Sequence, residues 1–244
     1  MGFKGIVFAY DEAQTMSDHT EKEQYPLSLL LDVFQSIQKK GIPFLLVLVG
    51  LPTLFSKLVD TRTFSERMFE IINLAKLGES DSREAITEPL KKKGCPINFP
   101  MRLVTLIVET SGGYPYFIQF ICRELYDVFI QKIDMGEELI VPITEIIRKL
   151  DKDFFAGRWG KATDRQRVLL SVIAHLDSCD DEFTLQEIVT EAKKLENPFS
   201  SSHVNQLLAR LTDAGLVYKN RHGRYSFAVP LLGASITRQM QQSL

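Results

Sequence analysis

Two adjacent carboxylates, Asp11 and Glu12, close an unbroken apolar run, GIVFAY at residues 5–10. A run without polar alternation suits a strand buried on both faces of a parallel sheet. Such sheets bind ligands in the crevice at the carboxyl ends of their strands. A carboxylate pair delivered there has a definite chemistry: Asp11 would ligate Mg²⁺ through water, and Glu12 would orient or deprotonate a water attacking a phosphoryl group. The same two residues also suit the start of a solvated loop, because the pattern is short. The glycine-rich loop G-x-x-x-x-G-K-[ST], whose amides cradle phosphates, does not occur in the sequence. At Gly160-Lys161, Ala162 replaces the hydroxyl residue, Phe155 stands where the first glycine is needed, and the pair follows a helical pattern.

A second group of residues has the chemistry of nucleic-acid recognition. Ser202, His203, Asn205, Gln206 and Arg210 fall on one predicted helix, and Lys219, Arg221, His222 and Arg224 on the hairpin that follows. Asp213 is the only acid within 201–229. A helix of this kind entering the major groove of double-stranded DNA, with a basic hairpin on the phosphates, fits the local excess of positive charge. The competing use of the same surface is contact with a protein partner or autoinhibition, and the acidic DDE at 180–182 weighs toward it.

The elements that must position these groups follow from periodicity. Residues 26–40 carry Leu30, Val33, Phe34 and Ile37 at helical spacing before Gly41, and FLLVLVG at 44–50 is a second buried strand. A helical pattern follows, and FEIINLAKL at 69–77 has the composition of a third strand. Strand, helix, strand, helix, strand predicts a parallel, wound α/β sheet. From Ser82 the pattern is helical throughout, with helices expected near 82–92, 100–110, 115–133 and 142–156. The small and polar stretch AGRWGKATD at 156–164 is the best linker. Helices are then expected at 165–177, 184–195 and 201–214, with a capping box at Thr184 and Glu187 and a cap at Ser201 or Ser202. The strands LVYKN and RYSFAV and a last helix at 231–242 complete the order of a winged helix-turn-helix.

In order and spacing, GIVFAYDEAQ, FLLVLVGLPTL, SERMFEIINLAKL and GGYPYFIQFICREL resemble the Walker B, sensor 1, arginine-finger and sensor 2 regions of AAA+ ATPases. The likeness is to the branch related to replication initiators and STAND-type signalling ATPases, many of which end in a winged helix; DEAQ and GYPYFIQ are its most specific pieces. The resemblance implies ATP and Mg²⁺ as cofactors, with Asp11 and Glu12 as the Walker B pair, Asp11 on the metal, and Thr53 as the nearest polar candidate for sensor 1. It implies Arg67 as an arginine finger, although Arg62 competes and a surface arginine at a helix end reads the same way. Gly112, Gly113 and Pro115 suit a hinge and helix start, without a sensor 2 arginine. Because the phosphate loop precedes Walker B in the family, the resemblance also implies a chain truncated at its N-terminus, with a central strand missing from the sheet. Phe69–Leu74 is then expected to leave the sheet, or the gap to be closed by self-association or a partner segment.

Composition bounds the remaining choices. At 244 residues, 45% hydrophobic and 25% charged, the chain has the make-up of a soluble globular protein of two or three compact units. With 29 basic against 31 acidic residues, no overall field draws it to nucleic acid or membrane. The longest apolar stretch, 42–55, is broken by Pro43, Gly50 and Pro52 and falls short of the roughly 20 residues that span a bilayer. Cys95, Cys122 and Cys179 suit neither a disulfide framework nor a CxxC metal site, which points to a reducing cytoplasm. The expected organisation is a partial AAA+ core at 1–79, an all-helical lid at 80–160 and a winged-helix domain at 161–244. Its expected work is coupling ATP binding and hydrolysis to remodelling of DNA or a protein partner. The alternative is a non-catalytic scaffold with a degenerate ATPase core.

Overall fold

The computed structural model describes residues 4–92, 94–136, 138, 140–221 and 223–242. The chain divides into two compact units, one comprising the described residues up to Asn73 together with the short stretch 218–221, the other those of 74–217 and from Gly223 onward.

The first unit opens with β1 (Ile6–Tyr10), followed by a 3-10 turn (Ala13–Thr15), α1 (Pro26–Lys39), β2 (Phe44–Leu48), α2 (Thr53–Thr61) and α3 (Ser65–Met68). β1 and β2 pair in parallel, Ile6 opposite Phe44 and Tyr10 opposite Leu48. The crossover between them is α1, whose start is fixed in two ways. Pro26 occupies its first turn, where a missing N–H costs nothing. The Asp18 carboxylate accepts from the Leu27 and Ser28 amides at 2.9 and 3.1 Å and from the Ser28 hydroxyl. Leu27, Leu31, Leu54 and Leu58 with Ala13 make the buried core of this unit. Phe8 adds an edge-on contact to Phe34 and stacks on Phe44.

The expected third strand is not formed: Phe69–Leu74 belongs to no strand, and the sheet has two members. A parallel strand needs a neighbour's ladder to hold it, and apolar composition alone does not supply one. Ile71, Ile72 and Leu74 are accordingly exposed.

The second unit is mainly helical: α4 (Glu79–Leu90), α5 (Met101–Ser111), α6 (Pro115–Met135) and α7 (Ile143–Leu150) lead into a π turn (Asp151–Phe155) and α8 (Ala156–Trp159). Residues 156–159 are therefore helical, where sequence composition suggests a linker. The tight passage from α5 to α6 depends on Gly112 and Gly113, at φ 60° and 78°. A Cβ on Gly113 would also stand 2.5 Å from the Leu77 carbonyl, whose own amide donates to the Gly113 carbonyl at 2.8 Å.

Beyond α8 come α9 (Asp164–Ala174), β3 (Phe183–Thr184), α10 (Leu185–Ala192), α11 (Ser201–Asp213), β4 (Val217–Arg221), β5 (Arg224–Phe227) and α12 (Leu232–Gln242). The strands form one sheet in the order β3-β5-β4. Thr184 and Glu187 form the expected reciprocal capping box, and Thr163 with Gln166 forms a second. The cap of α11 is Ser200, one residue before those expected, its hydroxyl accepting from the His203 amide at 3.3 Å. A continuous core runs through this unit from Ile86 to Ile236.

Two features stiffen it. Phe117 of α6 lies against Phe154 and Phe155 of the π turn, with ring centroids 5.3 and 5.8 Å apart. The Arg238 guanidinium of α12 grips the buried Asp151 carboxylate through two hydrogen bonds of 2.7 Å.

Candidate acidic site and candidate nucleic-acid face

The carboxyl end of β1 turns sharply. Glu12 adopts the left-handed conformation, φ 52° and ψ 34°, which a non-glycine residue takes only when its surroundings fix it. The Ala13 amide is drawn onto the Val49 carbonyl at 2.9 Å, so the chain curls back over the exit of β2. Asp11 and Glu12 both remain exposed. Asp11 accepts its neighbour's amide at 2.8 Å, and neither carboxylate is paired with Lys or Arg among the described residues. Two open, unneutralised carboxylates are the donor type that Mg²⁺ accepts. Among the described residues there is no cluster of three or more His, Cys, Asp or Glu able to hold a metal. A Mg²⁺ here would thus take most of its oxygens from water and phosphate, its usual habit.

Gln14, which the sequence does not single out, is the structural centre of this corner. Its side-chain amide nitrogen donates to the Glu12 carboxylate, and its amide oxygen accepts from the Leu51 backbone at 3.2 Å. Its main-chain carbonyl accepts from Lys57 at 2.6 Å. Burial holds the Lys57 ammonium below its ordinary pKa. A Cβ on Gly50 would displace the Gln14 amide oxygen and stand 3.2 Å from the Gln14 backbone nitrogen and 3.3 Å from Leu54 Cδ2, so the Gln14 side chain would have to move to admit it.

The other sequence candidates of this unit stand apart from the pair. Thr53 opens α2, its carbonyl accepts from the Ser56 hydroxyl at 3.0 Å, and its own hydroxyl makes no hydrogen bond among the described residues. Arg62 is held by Asp32 in a two-pronged ion pair of 2.9 and 3.1 Å. The hydrogen bonds from Arg62 lower the Asp32 pKa, and those to Asp32 raise that of Arg62. Arg67 lies at the end of α3, exposed, its side chain free of hydrogen bonds among the described residues.

On α11, Asn205, Gln206 and Arg210 are exposed on the face opposite Val204, Leu207, Leu208 and Leu211, which are buried. Their side chains make no hydrogen bond or ion pair among the described residues. His203 is half-buried with its ring 5.3 Å from Phe199, so it serves packing as well as surface. Lys219 is exposed on β4, and Arg224 is half-buried on β5. The side chain of Arg221, and His222 altogether, lie outside the described residues.

A family model described as a domain of unknown function, DUF8462, matches residues 152–236. No curated protein matches. Among solved structures, the chain is similar to the Walker-type ATPase PABY2304 of Pyrococcus abyssi, at TM-score 0.62 and 14% identity, over 96% of this chain and 63% of that one. It is also similar to the Aeropyrum pernix Orc1 protein in complex with DNA, at TM-score 0.46 and 13% identity, over 99% of this chain and 67% of that one. The first similarity shows a shared fold, and the chain spans somewhat under two thirds of that ATPase.

Proposed function

We propose that the chain is the acidic-strand, lid and winged-helix portion of an ATPase that couples nucleotide state to contact with duplex DNA. The observation that carries this is the Asp11-Glu12 pair, exposed and free of cationic partners at the carboxyl end of a parallel strand, in a fold shared with a Walker-type ATPase. ATP and Mg²⁺ would supply the transferable phosphoryl group and the charge that offsets its negative oxygens. Asp11 would bind a metal-held water, and Glu12 would orient the attacking water and take its proton. Since the sequence contains no G-x-x-x-x-G-K-[ST] loop to cradle the phosphates, turnover by this chain alone should be negligible. Arg67, exposed and unengaged, is the better of the two arginines for a finger, because Arg62 is already held by Asp32.

The metal-facing part is tested with Mn²⁺ and ¹⁵N-labelled protein. Paramagnetic broadening should begin at the amides of residues 10–13 and disappear from them in Asp11→Asn. Broadening centred elsewhere would remove the pair from the metal site.

The DNA part is carried by Asn205, Gln206 and Arg210, whose polar ends are unspent and face away from the core. Asn and Gln suit adenine and Arg suits guanine in the major groove, while Lys219 and Arg224 suit phosphates. The sheet order β3-β5-β4 behind three helices supports a winged helix. Duplex binding measured by fluorescence anisotropy should weaken steeply with salt, and Lys219→Ala or Arg224→Ala should each reduce the salt slope by about 1. Absence of duplex binding at low salt would move this surface to the protein-scaffold alternative.

A further inference from the structure

We infer that Gln14 is a positioning residue of the acidic corner: its amide fixes the Glu12 carboxylate and relays that carboxylate's position to the Gly50-Leu51 turn and to α2. The inference rests on Glu12 being the water-facing carboxylate proposed above, but the relay itself is a property of this chain's own hydrogen bonds.

Three connections meet in one residue. The Gln14 amide nitrogen donates to Glu12, its amide oxygen receives the Leu51 N–H at 3.2 Å, and its main-chain carbonyl receives Lys57 from α2 at 2.6 Å. An amide is the side chain suited to this task, because it donates at one end and accepts at the other without adding a charge beside two carboxylates. Glutamate in its place would lose the donor and add a third negative charge; leucine would lose both ends. Gly50 shows how closely the relay is built in. Its backbone is not left-handed, so no conformational demand explains the glycine. The Gln14 amide oxygen occupies the space a Cβ would need, and the Gln14 backbone nitrogen and Leu54 Cδ2 would lie 3.2 and 3.3 Å from that Cβ. Displacement of Glu12 toward a metal-bound water would break its bond with Gln14 and free the amide to swing. The Leu51 N–H, just before the start of α2, would lose its acceptor in the same motion. The exit of β2 therefore senses the acidic pair through Gln14, a role that Thr53, with its hydroxyl unengaged, does not fill.

The test is NMR on the full chain. In the unmodified protein, a through-hydrogen-bond coupling should connect the Leu51 amide nitrogen to the Gln14 side-chain carbonyl carbon. Glu12→Ala should then shift the Leu51 amide resonance in the otherwise unmodified chain and leave it in place when Gln14→Ala is already present. Gln14→Ala should also relieve the destabilisation caused by Gly50→Ala. A missing coupling, or a Leu51 response to Glu12→Ala that persists without Gln14, overturns the relay. The coupling is read in the unmodified chain, so a variant that fails to fold leaves the inference testable. If the coupling and its loss are seen while Mn²⁺ fails to broaden residues 10–13, the relay stands and the metal-site proposal falls.

Discussion

The two units use similar apolar strands and helices with opposite results. In the second, Leu169, Ile173, Phe183, Ile188 and Leu208 are sealed from solvent within one continuous core. In the first, every residue of β1 is exposed, Val7 by 62%, and the buried cluster is small, made of Ala13, Leu27, Leu31, Leu54 and Leu58. A two-stranded sheet has two free edges and too few neighbours to bury apolar side chains on both faces. Burial of a whole aliphatic side chain stabilises by about 1.5–3 kcal/mol. The exposed apolar residues of β1 therefore contribute far less than the sealed ones of the second unit. The comparison teaches that an apolar strand is not buried by its composition: β1 pairs with β2 alone and leaves its side chains exposed.

The sharpest way to break this contrast is to cut both regions alike. Leu169→Ala, at a site with 0% exposure, should cost about 2–5 kcal/mol, read by Trp159 fluorescence in urea, since Trp159 is the single tryptophan and lies in the second unit. Val7→Ala should cost under about 1 kcal/mol by amide exchange of residues 6–10. Equal losses would mean that β1 is as well buried in solution as the second core.

A smaller effect sharpens the account of the second unit. Arg238→Met strands the Asp151 carboxylate, 10% exposed at its side chain, without its partner and should cost about 3 kcal/mol. Asp151→Asn should cost less, because the Arg238 side chain is 32% exposed and can turn to water. The asymmetry, measured by urea denaturation of both variants, is the point; the reverse order would show that the carboxylate is better hydrated than its burial indicates.

Which parts were legible in the sequence follows the same physics. GIVFAY, FLLVLVG and the helices of the second unit stand out because continuous or periodic apolar patterns are set by local geometry. FEIINL misleads because its strand-like composition states only what the segment could pair with, and pairing depends on a neighbour that composition does not reveal. The π turn at Asp151–Phe155 is hidden inside what reads as one helix over 142–156, since one extra residue in a turn barely disturbs the pattern. At the candidate site, Asp11 and Glu12 are legible because a carboxylate pair ending an apolar run is unusual. Gln14 is not, because its importance lies in bonds it accepts from residues 51 and 57, which no spacing announces. The one local signal was the DEAQ string itself, in which an amide follows the acids at a distance short enough to fold back. Arg62 shows the opposite failure: its charge made it a candidate, and only its geometry against Asp32 shows that the charge is already spent.

The smallest effect distinguishes the units by acid. Burial raises the Asp18 carboxyl, but the hydrogen bonds from Ser28 and Leu27 and the nearby Arg62 outweigh it, so its folded pKa lies below 3.8. A depressed folded pKa means that the unfolded chain binds this proton more readily. The cap's contribution is therefore complete above about pH 4 and fades as the pH falls through the lower, folded value. Protonation weakens the acceptor that holds the Leu27 and Ser28 amides, and with it the start of the helix that joins β1 to β2. Asp18→Ala should destabilise the first unit by about 1 kcal/mol at neutral pH, the usual magnitude for a lost cap, and should remove this part of its acid sensitivity. Amide exchange in α1, compared at pH 6 and pH 3.5 in both proteins, measures the effect directly. An α1 that opens equally at both pH values in the unmodified chain would show that Asp18 is not its cap in solution. The second-unit helix α9 starts from the Thr163 hydroxyl boxed with the Gln166 amide, and neither group has a proton to gain in this range, so that cap should be unaffected between the same two pH values.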